Sequence, residues 1–368
     1  MKKIGILTFH RAYNYGAVLQ VYALQQTIAM NGNECEIIDY RTPRVEEWFH
    51  ARTTKAKLKR IALLLLYRDY YVKMKRKESK FNCFSKEHLQ ISPKFKNADG
   101  FKNIYDAVVV GSDQVWNLQM TRLDYTFFLP YKNGALKLSY AASFGSSSVP
   151  EESTELLKQY LRDFQIILVR ERDGVDIANK LVGKPAEKVI DPTFLVDKEH
   201  WLSLSKFEKR KNGYILLYLV AQPTYAVDVA KEIAKKHGLD ILYVDPPRKP
   251  LDNINSLMDV GPEEFLGLIS NAEYVITTSY HGLILSMNLN TPFLFELNGS
   301  AQNTNSRINE IIGEYHLEQY QINTNIIDEY DHLDYDWDYI NEHIEDNRAY
   351  SMAKLSGSLN LVKEKYRE

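Results

Sequence analysis

The sequence predicts an α/β protein with two parallel-sheet units and a helical C-terminal extension. Three observations predict it. Short β-branched runs alternate with helical patterns almost from the first residue, which is the sequence form of βαβ units in a parallel sheet. At about 150 residues per domain, a chain of 368 residues is long enough for two cores. A polar stretch from Ser203 to Gly213 interrupts the alternation, which restarts at once behind it, and this marks a domain boundary.

In the first half, strands are expected at 3–9, 35–40, 107–111, 137–142, 166–169 and 188–190, with helices at 17–30, 55–75, 151–163 and 171–181. The second half offers strands at 214–220, 241–244, 274–278 and 293–297, and helices at 226–237, 262–270, 282–288 and 307–315. Beyond about Asn325 an acidic, Tyr-rich stretch leads into a helical pattern from Ile344 to Tyr366, expected to pack across the domains as a closing helix. The expected domains are therefore 1–205, 213–325 and 326–368. No internal repeat shows at the usual periods.

Composition narrows the class. With 45% hydrophobic and 26% charged residues and a net charge of -2, the chain is an ordinary globular protein, which excludes disordered, collagen-like and membrane-spanning classes. Two cysteines, Cys35 and Cys83, make neither a disulfide framework nor a metal knuckle, so no metal site is expected and a cytoplasmic location fits. The apolar stretch Ile4 to Phe9 is too short for a signal-peptide core. The longest aliphatic run, Ile61 to Leu66, falls far below the ~20 residues a spanning helix needs.

One segment is electrostatically unusual. Arg52 to Lys80 carries eleven basic residues against two acidic ones. Two readings stand: a helix packed by its apolar face with its lysines in water, or peripheral contact with an anionic membrane surface through 52–80. Nucleic acid is not expected, because no nucleic-acid motif surrounds the run.

Chemistry-bearing residues gather where strands end. The first strand runs into H10-R-A-Y-N-Y-G-A-V-L-Q20, where Asn14 and Gly16 either open an anion-binding helix start or form a plain turn and cap. A single glycine there gives no dinucleotide fingerprint. The third strand ends in V110-G-S-D-Q-V-W-N117, where Gly111 permits close approach and Ser112, Asp113 and Gln114 supply hydrogen bonds or a base; the alternative is a capped turn with Trp116 in the core. The next strand ends in S139-Y-A-A-S-F-G-S146, bringing Ser143 to the same edge. Arg170 and Arg172 are read as a structural ion pair or an anion contact, and Asp191 before Pro192 as the cap of a turn or a residue facing the crevice.

The sharpest local signal is V275-I-T-T-S-Y-H-G-L-I-L-S286, a buried strand passing directly into polar residues and a helix. His281 stands at that corner, able to exchange a proton near neutral pH, with Gly282 permitting close approach. Asn305, Ser306 and Arg307 start another helix, either a second anion contact or an N-cap.

Taken together, F9-H-R-A-Y-N-Y-G-A-V-L-Q-V-Y-A-L-Q25, V110-G-S-D-Q-V-W-N117, S139-Y-A-A-S-F-G145, V169-R-E-R-D-G174, D191-P-T-F-L195 and T278-S-Y-H-G-L-I284 resemble the polysaccharide pyruvyltransferase family. The resemblance implies two Rossmann-like domains facing across a cleft, as in GT-B proteins. It implies a transferase that places the pyruvyl group of phosphoenolpyruvate as a ketal on a sugar of a cell-surface or exopolysaccharide precursor, with no further cofactor. The family's His maps onto His281, as proton donor or phosphate contact, and Asp113 is the candidate for the base at the sugar hydroxyl. Asn14, Gly16, Gln20, Ser112, Gln114 and Ser143 line the acceptor side. Ser279, Tyr280, Gly282 and Arg307 belong to the donor side, and the expected partners are phosphoenolpyruvate and a saccharide acceptor, lipid-linked in the leading version. Many members carry Arg two residues before this His, and here that position is Ser279, which leaves Arg307, Arg11 or Arg170 to supply the cation. The alternatives are a GT-B-like glycosyltransferase using a nucleotide-sugar donor and a catalytically silent glycan-binding relative.

Overall fold

The computed structural model describes residues 1–41, 68–246, 251, 254–297, 306–326, 328, 330 and 333–364. The chain divides into two compact units, Met1–Lys57 with Ser85–Leu195 and Asp346–Glu368, and Leu58–Phe84 with Val196–Glu345. In chain order the elements of the first half are β1 (Lys3–Leu7), α1 (Tyr15–Met30), β2 (Glu34–Tyr40), α2 (Arg68–His88), β3 (Ile91–Phe95) and β4 (Ala107–Val110). These are followed by α3 (Leu118–Thr121), β5 (Leu136–Ala142), α4 (Thr154–Leu161), β6 (Ile166–Val169), α5 (Arg172–Val182) and β7 (Ala186–Lys188). The strands form one parallel sheet in the order β3-β2-β1-β4-β5-β6-β7.

All four residues of β4 and all seven of β5 are buried, as expected of central parallel strands covered on both faces. That burial includes Lys137, whose Nζ meets the Tyr131 carbonyl and, at 3.0 Å, Asp163. Burial pulls this ammonium below its ordinary range while Asp163 works the other way. Helix α1 buries residues on every side, including Gln20 and Gln25, so it is a core helix, not a surface one. Around Trp116 the aromatic rings of Phe128, Phe144 and Phe164 pack at centroid distances of 5.6, 5.1 and 5.7 Å.

The second unit holds α6 (Lys198–Leu204), β8 (Tyr214–Tyr218), α7 (Ala226–His237), β9 (Asp240–Val244), β10 (Asn255–Leu257), α8 (Pro262–Ser270), β11 (Tyr274–Thr277), α9 (Tyr280–Asn288), β12 (Phe293–Phe295) and α10 (Ser306–Tyr315). Its five strands are parallel in the order β10-β9-β8-β11-β12. The last helix, α11 (Trp337–Glu364), passes from the second unit to the first between Glu345 and Asp346. Within the first unit it covers the end of the sheet: the Ser351 hydroxyl accepts from the Ile190 N–H at 3.1 Å, and the Arg348 guanidinium donates to the Phe194 carbonyl.

Several expected bounds shift. Residues 8 and 9 fall outside β1, the strand expected at 188–190 lies at Ala186–Lys188, and the helix expected from residue 151 starts as a 3-10 turn before α4. The short strands β3 and β10 and the helix α6 had no expectation. The division at Leu195/Val196 precedes the polar stretch 203–213, because α6 groups with the second unit. The C-terminal helix begins at Trp337, seven residues before the expected Ile344.

Of the basic segment, 52–67 lies outside the described residues. In the remainder, the carboxylates of the second unit face the cations of α2: Lys77 meets Asp245, Lys80 meets Glu264 at 2.7 Å, and Arg76 stands 3.8 Å from Asp259. The described part thus has internal counter-ions. Among the described residues, no helix is long and apolar enough to cross a membrane.

Candidate functional site

In an open parallel sheet, a crevice opens at the carboxyl ends of the strands where the strand order reverses. The first sheet reverses between β1 and β4, and the second between β8 and β11. Of the residues singled out from the sequence, those after β1 and β4 fall at the first point and those after β11 at the second, whereas Ser143, Arg170 and Asp191 lie past β5, β6 and β7 and Asn305 lies outside the described residues.

In the first unit, the Thr8 hydroxyl just past β1 donates to the Ser112 carbonyl at 2.7 Å and accepts from Gln20 Nε2 at 3.4 Å. This ties the ends of β1 and β4 to α1. Gln20 and Ser112 are fully buried, yet Gln20 Oε1 and Ser112 Oγ have no hydrogen-bond partner among the described residues. Gly111, at φ +114, would drive a Cβ to 2.3 Å from the Tyr140 carbonyl, so this strand end admits only glycine. Asp113 follows at φ +75, its carboxylate accepting from the Gln114 N–H at 2.8 Å and its carbonyl from the Ser143 N–H at 3.0 Å. Gln114 accepts from Asn117 Nδ2 at 2.8 Å, and the Ser143 hydroxyl accepts from the Gly145 N–H at 3.0 Å. The structure therefore brings Gln20 to Ser112 and Asp113 to Ser143.

Asn14 is placed differently. It is exposed, and its side-chain oxygen accepts from the Ala17 N–H at 3.0 Å as the N-cap of α1, with Gly16 buried in the first turn. Trp116 is 1% exposed and donates to the Phe127 carbonyl at 3.0 Å, so it is a core residue.

Arg170 is occupied. Its guanidinium donates to Asp191 at 2.9 Å and stands 3.7 Å from Glu171 and 3.9 Å from Asp113, with 2% of its side chain exposed. Asp191 also accepts from the Thr193 N–H and hydroxyl. Three carboxylates surround this cation, which suits it to holding the end of β6 and not to receiving a further anion.

A second cluster at this edge was not foreseen. His10 lies with Nδ1 3.3 Å from the Thr8 carbonyl and Nε2 3.2 Å from Asp39, whose carboxylate accepts from Arg41 at 2.6 to 3.1 Å. An Asp next to last in β2, directly after the apolar pair Ile37 and Ile38, is its one sequence signal. Burial works against the charged form of Asp39, but hydrogen bonds and charge from His10 and Arg41 outweigh it and hold the carboxyl well below the usual carboxylate range. Since the folded value lies below an unfolded value of about 4, this stabilisation is complete above that pH and is lost as pH falls below it. The urea midpoint is expected to drop between about pH 5 and about pH 2 more steeply for the wild type than for Asp39→Asn.

In the second unit, Ser279 is the N-cap of α9: its hydroxyl accepts from the Gly282 N–H at 3.3 Å. Helix α9 thus begins two residues before the expected start, and His281 lies inside its first turn, 9% exposed and edge-on to Tyr280 at 5.2 Å. The Arg307 guanidinium lies over the Tyr280 ring at 5.4 Å. Gly282 serves packing: a Cβ there would meet Thr277 Oγ1 at 2.4 Å and the Tyr218 ring at 3.1 Å, so the close approach it permits is to the sheet, not to a ligand. The edge thus offers an imidazole, small hydroxyls and one guanidinium around a helix start, a set able to hold an anion and move a proton.

A family model described as polysaccharide pyruvyl transferase matches residues 14–299, and the chain belongs to this family. It is accordingly a transferase enzyme of this kind. No curated protein matches the sequence. Among solved structures, a Listeria monocytogenes protein described as a candidate UDP-N-acetylglucosamine 2-epimerase is 10% identical, with 99% of this chain and 97% of that one covered and a TM-score of 0.55. The UDP-GlcNAc 2-epimerase from Neisseria meningitidis bound to UDP-GlcNAc is 12% identical, with coverage of 99% and 100% and a TM-score of 0.50. At such identities the likeness speaks for the fold alone, the two parallel α/β units of GT-B-fold proteins.

Proposed function

We propose that the protein transfers the pyruvyl group of phosphoenolpyruvate to two hydroxyls of a sugar in a cell-surface or exopolysaccharide precursor, in the cytoplasm and on a lipid-linked glycan. The observation that carries this reading is the placement of His281 in the first turn of α9, at the reversal point of the second sheet. In this reading the second unit handles the donor and the first the acceptor, and no cofactor takes part.

The chemistry assigns each residue a task. His281 delivers a proton to the methylene carbon, leaving an oxocarbenium-like centre at the adjacent carbon. Asp113 takes the proton of the first sugar hydroxyl as its oxygen bonds to that centre. The bond to phosphate then breaks, phosphate keeping the electron pair and taking a proton, and the second hydroxyl closes the ketal as it loses its own. Of the two hydroxyl protons, one balances the new methyl C–H and the other leaves on phosphate. The helix start and Arg307 hold the donor's anionic groups, while Gln20, Ser112, Gln114 and Ser143 meet acceptor hydroxyls.

Incubation with phosphoenolpyruvate and a panel of lipid-linked and nitrophenyl glycosides is expected to release phosphate and yield an acceptor heavier by one pyruvyl ketal. No turnover across a broad panel contradicts the reading. Arg307→Ala is expected to raise KM for phosphoenolpyruvate by about tenfold or more, with a smaller change in kcat, because a charge-assisted contact is worth about 1.5–3 kcal/mol. One observation favours a second donor class: Ser279 stands where many members have Arg, and the Neisseria neighbour of the same fold is bound to a nucleotide sugar.

A further inference from the structure

Where a parallel sheet ends, its ladder stops and the backbone groups beyond it need other partners. At the carboxyl edge of the first sheet a polar belt carries the pairing on, in the order of the strands themselves. The Ser92 hydroxyl of β3 accepts from the Asp39 N–H of β2 at 2.9 Å, and the Asp39 carboxylate lies 3.2 Å from His10 Nε2. His10 Nδ1 stands 3.3 Å from the Thr8 carbonyl, directly past β1. The Thr8 hydroxyl donates to the Ser112 carbonyl past β4 at 2.7 Å, and the next carbonyl, that of Asp113, accepts from the Ser143 N–H past β5 at 3.0 Å. The belt thus crosses β3-β2-β1-β4-β5, neighbours throughout the sheet.

Thr8, 2% exposed, is the link between the His10 cluster and the β4 turn. Gln20 Nε2 donates to the Thr8 hydroxyl at 3.4 Å, so the single hydroxyl proton is left for the Ser112 carbonyl. Asp113 holds φ +75, which a residue with a Cβ keeps only where its surroundings fix it. That torsion runs between the Ser112 and Asp113 carbonyl carbons, and both carbonyls are pinned. Thr8 holds the first, and the N–H groups of Val115 at 2.8 Å and Ser143 at 3.0 Å hold the second. The Ser112 hydroxyl, without a hydrogen-bond partner among the described residues, contributes nothing to this.

We propose that Thr8 is a positioning residue whose hydroxyl fixes the turn after β4 and so aims the Asp113 carboxylate. This rests on the reading of Asp113 as the base at the sugar hydroxyl. Thr8 touches no substrate in that reading and acts on the rate through Asp113.

The test compares Thr8→Val, which keeps the branched shape and removes the hydroxyl, in the full chain and in the Asp113→Asn background. Alone, Thr8→Val is expected to lower kcat by about tenfold or more while KM for phosphoenolpyruvate stays within about twofold, and Thr8→Ser, which restores the hydroxyl, recovers most of the rate. With Asp113→Asn already present, Thr8→Val is expected to change the rate by less than about twofold, because the group it positions is gone. A Thr8→Val variant with wild-type kcat, or a tenfold loss that persists in the Asp113→Asn background, overturns the proposal. Asp113→Asn with wild-type rate defeats the base assignment and this proposal with it. Hydrogen exchange read by mass spectrometry needs no turnover and decides where the wild type shows none: Thr8→Val is expected to speed exchange at Val115 and Ser143 and to leave β11 unchanged. Unchanged exchange at both positions overturns the positioning role, whatever reaction the enzyme performs. Should Thr8→Val not fold, Thr8→Cys, whose thiol is a weak donor, takes its place in every comparison.

Discussion

Replacing His281 by Ala is expected to lower pyruvyl transfer by about 100- to 10,000-fold, the range for loss of a positioned proton donor. The fold should survive. The ring lies in the first turn of α9, at 9% exposure, with Tyr280 edge-on beside it, and neither the Ser279 cap nor the Gly282 contact with Thr277 depends on it. A melting temperature within a few degrees of wild type, as expected for a cost of about 1 kcal/mol, separates chemistry from folding. The variant is expected to lose rate while holding the acceptor nearly as before.

Arg170→Met is expected to destabilise the first unit by about 3–5 kcal/mol, because it leaves buried carboxylates without their cation. Asp191 has no exposed side-chain area and Glu171 has 4%, so water cannot replace the guanidinium. Urea unfolding measures the loss. The double variant Arg170→Met with Asp191→Asn is expected to recover part of it, since the neutral amide keeps an acceptor for Thr193 while removing one buried charge. Asp113, 3.9 Å from the same guanidinium, loses a positioning neighbour as well.

What the sequence made legible follows from distance along the chain. The apolar runs of β4, β5 and β11 and the strand-to-helix corner at His281 are written in consecutive residues, and local pattern reading reaches them. Strand β3 did not announce itself, because Pro93 and two exposed neighbours break its pattern at the sheet edge. Composition marks a boundary at the charged stretch 203–213, whereas α6 and the stretch behind it group with the second unit. The polar links that shape the strand ends join residues far apart: His10 to Asp39, Arg170 to Asp191, Glu296 to the start of α7. No periodicity or motif reports such a pairing. Gly282 shows a subtler gap, since its spacing signalled close approach but not that the sheet occupies the space.

The donor assignment is tested most directly by running the reaction in deuterated water with phosphoenolpyruvate and a glycoside that is turned over, and examining the ketal methyl group. Proton delivery to the methylene carbon predicts one deuterium per methyl, phosphate released in equal amount, and loss of both in His281→Ala. A protein that leaves phosphoenolpyruvate untouched but releases UDP from a UDP-sugar would contradict the account.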